Sequence, residues 1–389
     1  MSNANQYATA FVSNVDLPDA IRKAHESISE SLGGSADLTL AFMAGYESAE
    51  LDAALIQMKQ SLDTKVLLGS NCHALIEGSR EYEATRGLVL WSASMPDTEL
   101  VPIELKFERN SEGAAITGWP DELATEWPED SQLIALAEPF SFPMDVLLDR
   151  FNEDRPGVVV SGGMASGYHR PSDGRLVLDE KVMNAGAVAV RLTGGPKIET
   201  IVSQGCRPIG SPFVITDCER NLITGLGGKS PLEQLKQLFA ELPARDQREV
   251  NRGLLLGRAI NEYQDKFGYG DFLIRNVMQI DPDSGFISVG DYMRKGQTVQ
   301  FHIRDSDSAS AELEQLMEKR TIAEPKSALV FSCNGRGLNM FPDPDHDSQR
   351  VSRCVGGGPV AGFFAGGEIG PIGGKNFVHG FSASVVLFS

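Results

Sequence analysis

The chain has 389 residues, 41% of them hydrophobic and 23% charged, which favours two or three globular domains over a single ordinary core. Its formal net charge of −18 disfavours partners of the same sign, namely nucleic acid and anionic membrane surfaces. No apolar run approaches the roughly 18–20 residues of a transmembrane helix, and the N-terminal residues do not resemble a secretory signal. The five cysteines show no paired spacing, so we expect a reducing compartment, the cytoplasm.

The N-terminal part alternates between predicted strands and helices. Strands are expected near Phe11 and at residues 37–43, 65–69, 87–93 and 101–107, and helices at 18–31 and 47–61. Asp16 is the expected N-cap of the first helix, because its carboxylate can accept a hydrogen bond from the first turn. Leu51, Leu55 and Met58 form one apolar face of the second helix.

The same order of elements returns twice further along the chain. The second pass has strands at 132–137, 157–160, 185–191 and 198–203 and a helix at 144–151. The third has strands at 328–332, 360–365 and 377–388 and a short helix at 347–354. Three apolar strands also end in similar turns: VLLGSNCHALIEG from Val66, VVVSGGMASG from Val158 and GFFAGGEIGPIGG from Gly362. We interpret this as a unit present two or three times, although buried strands in general often end in small residues.

Two polar, glycine-bearing segments interrupt this pattern, at 109–120 and 221–231. They predict an N-terminal half of residues 1–228, divided internally into about 1–112 and 113–228, and a C-terminal half of residues 229–389. Ser230 is a plausible N-cap for a helix over 231–241, with Pro231 at its first position and Glu233 at the capping-box position. Strands at 272–281, 285–289 and 298–304 and a helix at 308–319 follow. The predicted fold class is α/β (α+β), with duplicated strand–helix–strand units forming mixed β-sheets flanked by helices.

Several motifs fail on inspection. GLGGKS resembles a phosphate loop, but Ile223 stands where the first glycine is required. Asp343, Asp345 and Asp347 have the spacing of a calcium loop, but Ser348 replaces its glycine, so a solvated acidic loop is expected. The histidines and cysteines lack zinc-ligand spacing. The sequence therefore predicts neither a metal nor a cofactor.

The C-terminal segment concentrates chemically distinctive residues. In SCNGRG, Arg336 offers a planar fork of donors that suits a carboxylate or a phosphate. In GGEIGPIGG, Glu368 follows a buried strand and is expected to bind an ammonium group or to pair with Arg336. In HGFSAS, His379, Ser382 and Ser384 lie along a predicted strand. Arg336, Glu368 and His379 together would suit a zwitterionic ligand such as an amino acid, and a structural salt-bridge network in the core is the alternative.

Cys333 raises the question of catalysis. It ends a predicted strand close to Arg336, whose positive charge would lower the pKa of the thiol and favour the nucleophilic thiolate. His379 is the candidate base. A cysteine at the end of a buried strand is, however, more commonly a small hydrophobic residue, and we expect no catalytic residue here.

The segments ALVFSCNGRG, GFFAGGEIGPIGG and FVHGFSAS closely resemble the C-terminal part of the FIST domain, and LLGSNCHALIEG resembles its N-terminal half. The resemblance implies a cytoplasmic sensory protein that binds a small ligand, with amino acids as the suggested class, and that signals through an unidentified partner protein. A hydrolase using Cys333 and a protein-interaction scaffold are the alternatives. The predicted ligand-binding residues are Cys333, Arg336, Gly367, Glu368 and His379, with Pro371 as a further motif position and Cys72 and His73 from the upstream turn.

Overall fold

The computed structural model describes residues 4–111, 113–121, 127–264, 267–268 and 270–389. The chain forms two compact units, the first from residues 1–202 and 316–389 and the second from residues 203–315. None of the described helices combines the length and apolar character needed to cross a membrane.

The elements of the N-terminal segment alternate between strands and helices. In chain order they are β1 (Gln6–Ser13), α1 (Leu17–Leu32), β2 (Ala36–Ala44), α2 (Ser48–Ser61), β3 (Thr64–Cys72), β4 (Leu75–Glu77), β5 (Arg80–Tyr82), β6 (Gly87–Ser94), β7 (Thr98–Asn110), β8 (Gly113–Thr117), β9 (Gln132–Ala137), α3 (Met144–Asp154), β10 (Val159–Met164), β11 (Leu176–Leu178), β12 (Lys181–Met183), β13 (Ala187–Gly194) and β14 (Ile198–Ser203).

The remaining elements comprise a barrel segment and a C-terminal segment. The barrel segment contains β15 (Cys206–Glu219), β16 (Leu222–Leu226), α4 (Pro231–Glu241), α5 (Ala244–Arg252), β17 (Leu254–Ala259), β18 (Phe272–Ile280), β19 (Ile287–Val289), β20 (Thr298–Arg304) and α6 (Ser306–Glu318). The C-terminal segment contains β21 (Ser327–Cys333), α7 (His346–Cys354), β22 (Val360–Ala365), β23 (Glu368–Ile372), β24 (Lys375–His379) and β25 (Ala383–Phe388).

The first unit is built from one strand pattern used three times. Its sheets have the orders β1-β6-β2-β3-β11-β12, β7-β13-β9-β10-β23-β24 and β14-β25-β21-β22-β4-β5, with β8 added beside β7 in the second sheet. Each sheet has one parallel pair at its centre, β2/β3, β9/β10 or β21/β22, and a helix connects the two strands of that pair. The predicted mixed α/β fold is therefore confirmed, and the repeated unit is present three times.

Each repeat contributes a hairpin to the sheet of another repeat. The hairpin β4–β5 follows β3 along the chain but pairs with β22, β11–β12 follows β10 but pairs with β3, and β23–β24 follows β22 but pairs with β10. The exchange is cyclic, so the three repeats cannot be separated without breaking strand pairs in every sheet. The inner faces of the sheets share one hydrophobic core, which includes Phe42, Trp91, Phe331, Phe363 and Phe388.

The backbones of the parallel strands approach closely at glycines in equivalent positions of two sheets. Gly362 lies opposite Val330 in the β21/β22 pair, and a Cβ atom on Gly362 would lie 1.8 Å from the Val330 carbonyl oxygen. Gly162 has the corresponding position opposite Ala135, where a Cβ would lie 1.9 Å from the Ala135 carbonyl oxygen. These glycines are therefore required by the close approach of the backbones.

We expect Gly362→Ala to destabilise the first unit by more than about 3 kcal/mol, because the added methyl group overlaps backbone that cannot move independently of the sheet. Urea unfolding followed by circular dichroism measures this. Gly34→Ala is the control, since a Cβ on Gly34 meets no atom within 4 Å. Equal stability of the two variants would contradict the expectation.

The predicted elements differ from the structure where strands are short or the chain turns sharply. The predicted single strand over 377–388 is wrong: it is the end of β24 and all of β25, separated by a turn in which Phe381 has φ 63°. The segments that were expected to interrupt the pattern contain β8 and β16. Every residue of β2, which was predicted as a strand over 37–43, is buried, since helices cover its outer side.

The second unit contains a closed barrel with the strand order β15-β16-β19-β18-β17-β20. Its helix α4 begins as predicted, because the Ser230 side chain accepts a hydrogen bond from the Glu233 N–H at 3.2 Å and Pro231 occupies the first position. The strands β15 and β17 and the helix α5 were not predicted. The apolar residues of the two strands do not alternate cleanly with polar ones, because strands of a small barrel are shaped by closure as well as by one buried face.

Candidate functional site

Three glycine-rich turns of the first unit meet around Ser166. The Ser166 hydroxyl accepts a hydrogen bond from the His73 N–H at 2.9 Å and donates one to the Phe364 carbonyl at 2.5 Å. The neighbouring Gly167 packs against the Cys72 backbone so closely that a Cβ would lie 2.5 Å from the Cys72 carbonyl oxygen. The three turns that look alike in the sequence thus lie together at the carboxyl ends of parallel strands, where α/β proteins commonly bind ligands.

A thiol and a carboxyl group lie beside this junction. Cys333 is the last residue of β21, and its N–H donates to the Ser382 carbonyl at 2.9 Å. The Ser382 N–H in turn donates to Glu368 Oε2 at 3.0 Å. Glu368 is fully buried, and its Oε1 has no hydrogen bond of normal geometry to any described residue. Cys333, Glu368 and Ser382 form what we call the thiol–carboxyl cluster.

Burial shifts both acidic groups of this cluster towards their neutral forms. Burial raises the pKa of Glu368 well above its ordinary value. Burial, followed by the effect of the Glu368 charge, raises the pKa of the Cys333 thiol to about 12. The sequence-based expectation that the pKa of this thiol is lowered is therefore wrong, because desolvation and the neighbouring carboxyl raise it.

Arg336 is committed to another partner. Its Nε lies 2.7 Å from Asp347 Oδ2 and its second terminal nitrogen lies 2.8 Å from Asp347 Oδ1, and both side chains are buried. Its remaining terminal nitrogen donates to the Phe381 carbonyl at 3.3 Å. The predictions of an Arg336–Glu368 pair and of a solvated loop at Asp347 are both wrong. The Arg336 donors that were expected to bind a ligand carboxylate are instead occupied by Asp347 in a bidentate, buried pair.

A second carboxylate supports this pair from the exchanged hairpin. Glu81 of β5 accepts hydrogen bonds from the N–H groups of Asp347 and Ser348 at 2.9 and 3.0 Å, in the first turn of α7. Burial, with the nearby Asp347 charge as the next cause, raises the pKa of Glu81 to about 7. The ring of His346 stacks on Phe341 with centroids 3.3 Å apart. Sequence reasoning missed both Glu81 and the role of Asp347, since only the hairpin exchange brings β5 to α7.

The other predicted residues have mostly structural surroundings. His379 lies opposite Glu368 in the β23/β24 ladder, and its Nε2 lies 3.0 Å from the Gly370 carbonyl oxygen. Cys72 is buried with its thiol 3.4 Å from the Met43 carbonyl oxygen, and burial raises the pKa of that thiol well above its ordinary value. His73 is exposed beside Ser166. Gly367 leaves room for Met164 and Val378, and Pro371 lies opposite Asn376 on β24.

The threefold repeat provides an internal comparison for Glu368. Leu75, Leu176 and Glu368 each begin an exchanged hairpin, and each pairs with the residue that follows the equivalent glycine of the receiving strand. Both leucines are fully buried. The architecture therefore requires only a buried apolar side chain at this position, and the third repeat has a carboxyl group instead. Burying a carboxyl group costs stability. The fold therefore does not explain why the third repeat has glutamate at this position.

The first unit also has an open groove of about 470 Å³ between β7 and the β11–β12 hairpin, where Glu104, Lys106 and Lys181 contribute to its lining. None of the predicted ligand-binding residues lines this groove. Within the described residues, no three histidine, cysteine or acidic side chains are grouped closely enough to hold a metal ion.

The fold and the cluster define a mixed α/β protein of three repeats with a buried thiol–carboxyl cluster. Comparison with known families matches the FIST N domain over residues 37–229 and the FIST C domain over residues 231–371. The chain therefore belongs to the FIST family, as the resemblance indicated. The predicted limits near 112 and 228 within the chain stay a prediction.

Its relatives extend over almost the whole chain. An uncharacterized protein of Mycobacterium tuberculosis strain H37Rv is 38% identical over 379 residues, which cover 95% of this chain and 97% of that protein. An uncharacterized protein of Mycobacterium bovis is 38% identical over 382 residues, covering 95% and 96% respectively.

Proposed function

We propose that the chain is a sensory protein that binds a small ligand at the thiol–carboxyl cluster of Cys333, Glu368 and Ser382. Membership of the FIST family, whose domains are associated with sensory and signalling roles, supports this function. The observation that carries it is the buried carboxyl of Glu368 at a position where both other repeats have leucine. A polar group that destabilises the fold and lacks a complete set of hydrogen bonds is a candidate for ligand binding.

Catalysis by Cys333 is not part of the proposal. A thiol with a pKa of about 12 is almost entirely protonated at neutral pH, whereas nucleophilic use requires the thiolate. We therefore assign Cys333 a hydrogen-bonding role beside Glu368. We further propose that ligand binding is passed on to a protein partner in the cytoplasm. Five free cysteines are consistent with a reducing compartment, and the charge of −18 supports a partner other than nucleic acid or membrane.

Thermal unfolding against a panel of amino acids, amines and other metabolites tests the function. A true ligand is expected to stabilise the protein by about 2.7 kcal/mol at a hundredfold excess over its dissociation constant. Glu368→Leu, which copies the side chain of the other two repeats, is expected to fold and to lose this stabilisation.

Glu241→Leu is the matched control, because Glu241 is an exposed carboxylate at the end of α4, in the second unit. A panel without any saturable stabilisation would contradict the proposal. So would a ligand that stabilises the wild type and Glu368→Leu to the same extent.

A further inference from the structure

The ligand class can be argued from the charges around Glu368, on the basis of the proposed function. The charged and titratable groups that surround this carboxyl are the Cys333 thiol, Arg336 and Asp347, together with His379 opposite it on β24. Oε2 accepts one backbone hydrogen bond, from Ser382, and Oε1 accepts none of normal geometry from the described residues. A positive charge brought next to a carboxyl group in this position favours its ionised form.

The cation that the described residues place near Glu368 is already paired with another acid. Two nitrogens of Arg336 bond to Asp347 and the third donates to the Phe381 carbonyl. His379 directs Nε2 to the Gly370 carbonyl, and a carbonyl oxygen can only accept, so this nitrogen carries a hydrogen. Because the Arg336 fork is closed by Asp347, a ligand carboxylate would be buried near Glu368 and Asp347 without a partner cation. The overall charge of −18 adds to this cost.

An aromatic residue, Phe381, packs beside the cluster. The Phe381 ring packs on Gly335, two residues after Cys333, and a Cβ on Gly335 would lie 2.3 Å from that ring. Phe381 has φ 63°, a left-handed conformation that is unusual for a bulky residue and that is held by the hydrogen bond from Arg336 to its carbonyl. Cys333 is half-buried, whereas Glu368 and Ser382 are buried.

We propose that the cluster takes a small organic ammonium ion, an amine without a carboxylate, whose positive charge pairs with the Glu368 carboxylate. The neutral carboxyl loses its proton to solvent as the ammonium group arrives. One proton is therefore released for each ligand bound, and no bond to carbon or sulfur changes. The ammonium group supplies charged hydrogen bonds to Oε1, which accepts none of normal geometry from the described residues.

Matched pairs of ligands test this class directly. Isoamylamine with leucine, phenethylamine with phenylalanine, and cadaverine with lysine differ only by the α-carboxylate. Isothermal titration of the full chain at pH 7, in MOPS and in phosphate, which are not primary amines and differ in their heats of ionisation, measures affinity and the number of protons released. We expect at least one amine of the three pairs to bind at least about tenfold more tightly than its amino acid, with release close to one proton per site.

Two variants separate the ligand class from the site. Glu368→Gln keeps the shape and the acceptor for Ser382 but cannot ionise, and it is expected to lose both amine binding and proton release. Glu368→Leu should lose them too. Amino acids that bind as tightly as amines, with dependence on Glu368, would overturn the amine class and leave the proposed site intact. If all six compounds fail to bind but a ligand that is not an amine binds in a Glu368-dependent way, the amine class is likewise overturned and the proposed site is kept. Binding of every ligand unchanged in both variants would overturn the class and the site together.

Discussion

Asp347→Asn is expected to lower the free energy of unfolding by about 3–5 kcal/mol, the range for breaking one side of a buried ion pair. The substitution leaves Arg336 fully buried with its charge uncompensated, because the two Asp347 oxygens accept from its Nε and from one terminal nitrogen. The Ser332 hydroxyl, which donates to Asp347 Oδ2 at 2.9 Å, also loses a charged acceptor. Urea unfolding at constant pH, followed by circular dichroism, measures the difference in unfolding free energy between the variant and the wild type.

The matched control for this change is Asp343→Asn in the same acidic segment. Asp343 is exposed, and its substitution is expected to alter the stability by less than about 0.5 kcal/mol. Losses of similar size in the two variants would show that the segment acts as the solvated loop that its sequence suggests. A large loss at Asp347 alone would establish that α7 is anchored through Arg336.

Stability is also expected to depend on pH through Glu81. Its pKa is about 7 in the folded protein against an ordinary value of 4.5, so the folded state holds a proton that the unfolded state has lost between these values. The contribution of Glu81 is therefore fully present below about pH 4.5 and is lost as the pH rises through 7. With each pKa unit corresponding to 1.36 kcal/mol, the loss amounts to about 3 kcal/mol. The groups that face Glu81 are Asp347 and Glu83, together with the N–H groups of α7.

Glu81→Gln isolates this effect from that of Glu368, whose raised pKa acts in the same direction. The glutamine variant cannot ionise, so its unfolding free energy is expected to fall less steeply between pH 4.5 and 7.5 than that of the wild type. Glu153→Gln, an exposed residue of α3, should follow the wild type. Parallel curves for the wild type and Glu81→Gln would show that Glu81 does not titrate in this range.

The bounds of longer helices and strands with a clear hydrophobic pattern could be predicted from the sequence. The predicted bounds of β9, β14, β20 and β22 and of α4 agree with the structure. Each is bounded by local signals, such as the Ser230–Pro231 start of α4, that depend on neighbouring residues alone. The hairpin strands β4, β5, β11 and β12, of three residues each, were missed because three residues are too few to show a period.

The motif residues were also recognisable, but their partners were not. The sequence indicated Arg336 and Glu368 as a pair, yet Arg336 bonds to Asp347 and Glu368 lies beside Cys333 and Ser382. Side-chain chemistry shows which groups attract each other but not which of several acids the fold brings within reach. Burial likewise reversed the expected pKa shift of Cys333, because desolvation depends on neighbours from β23 and β25 and the turn before β25.

The sequence by itself determined the class of fold, the repetition of the unit and the family, because these depend on local periodicity and on motifs that are continuous in the chain. Only the tertiary structure decided the cyclic exchange of hairpins, which places Glu81 at α7 and Glu368 where two other repeats have leucine. The physical reason is that strand pairing and burial connect residues far apart in the chain. The equivalence of Leu75, Leu176 and Glu368 becomes visible only through the registers of three different sheets.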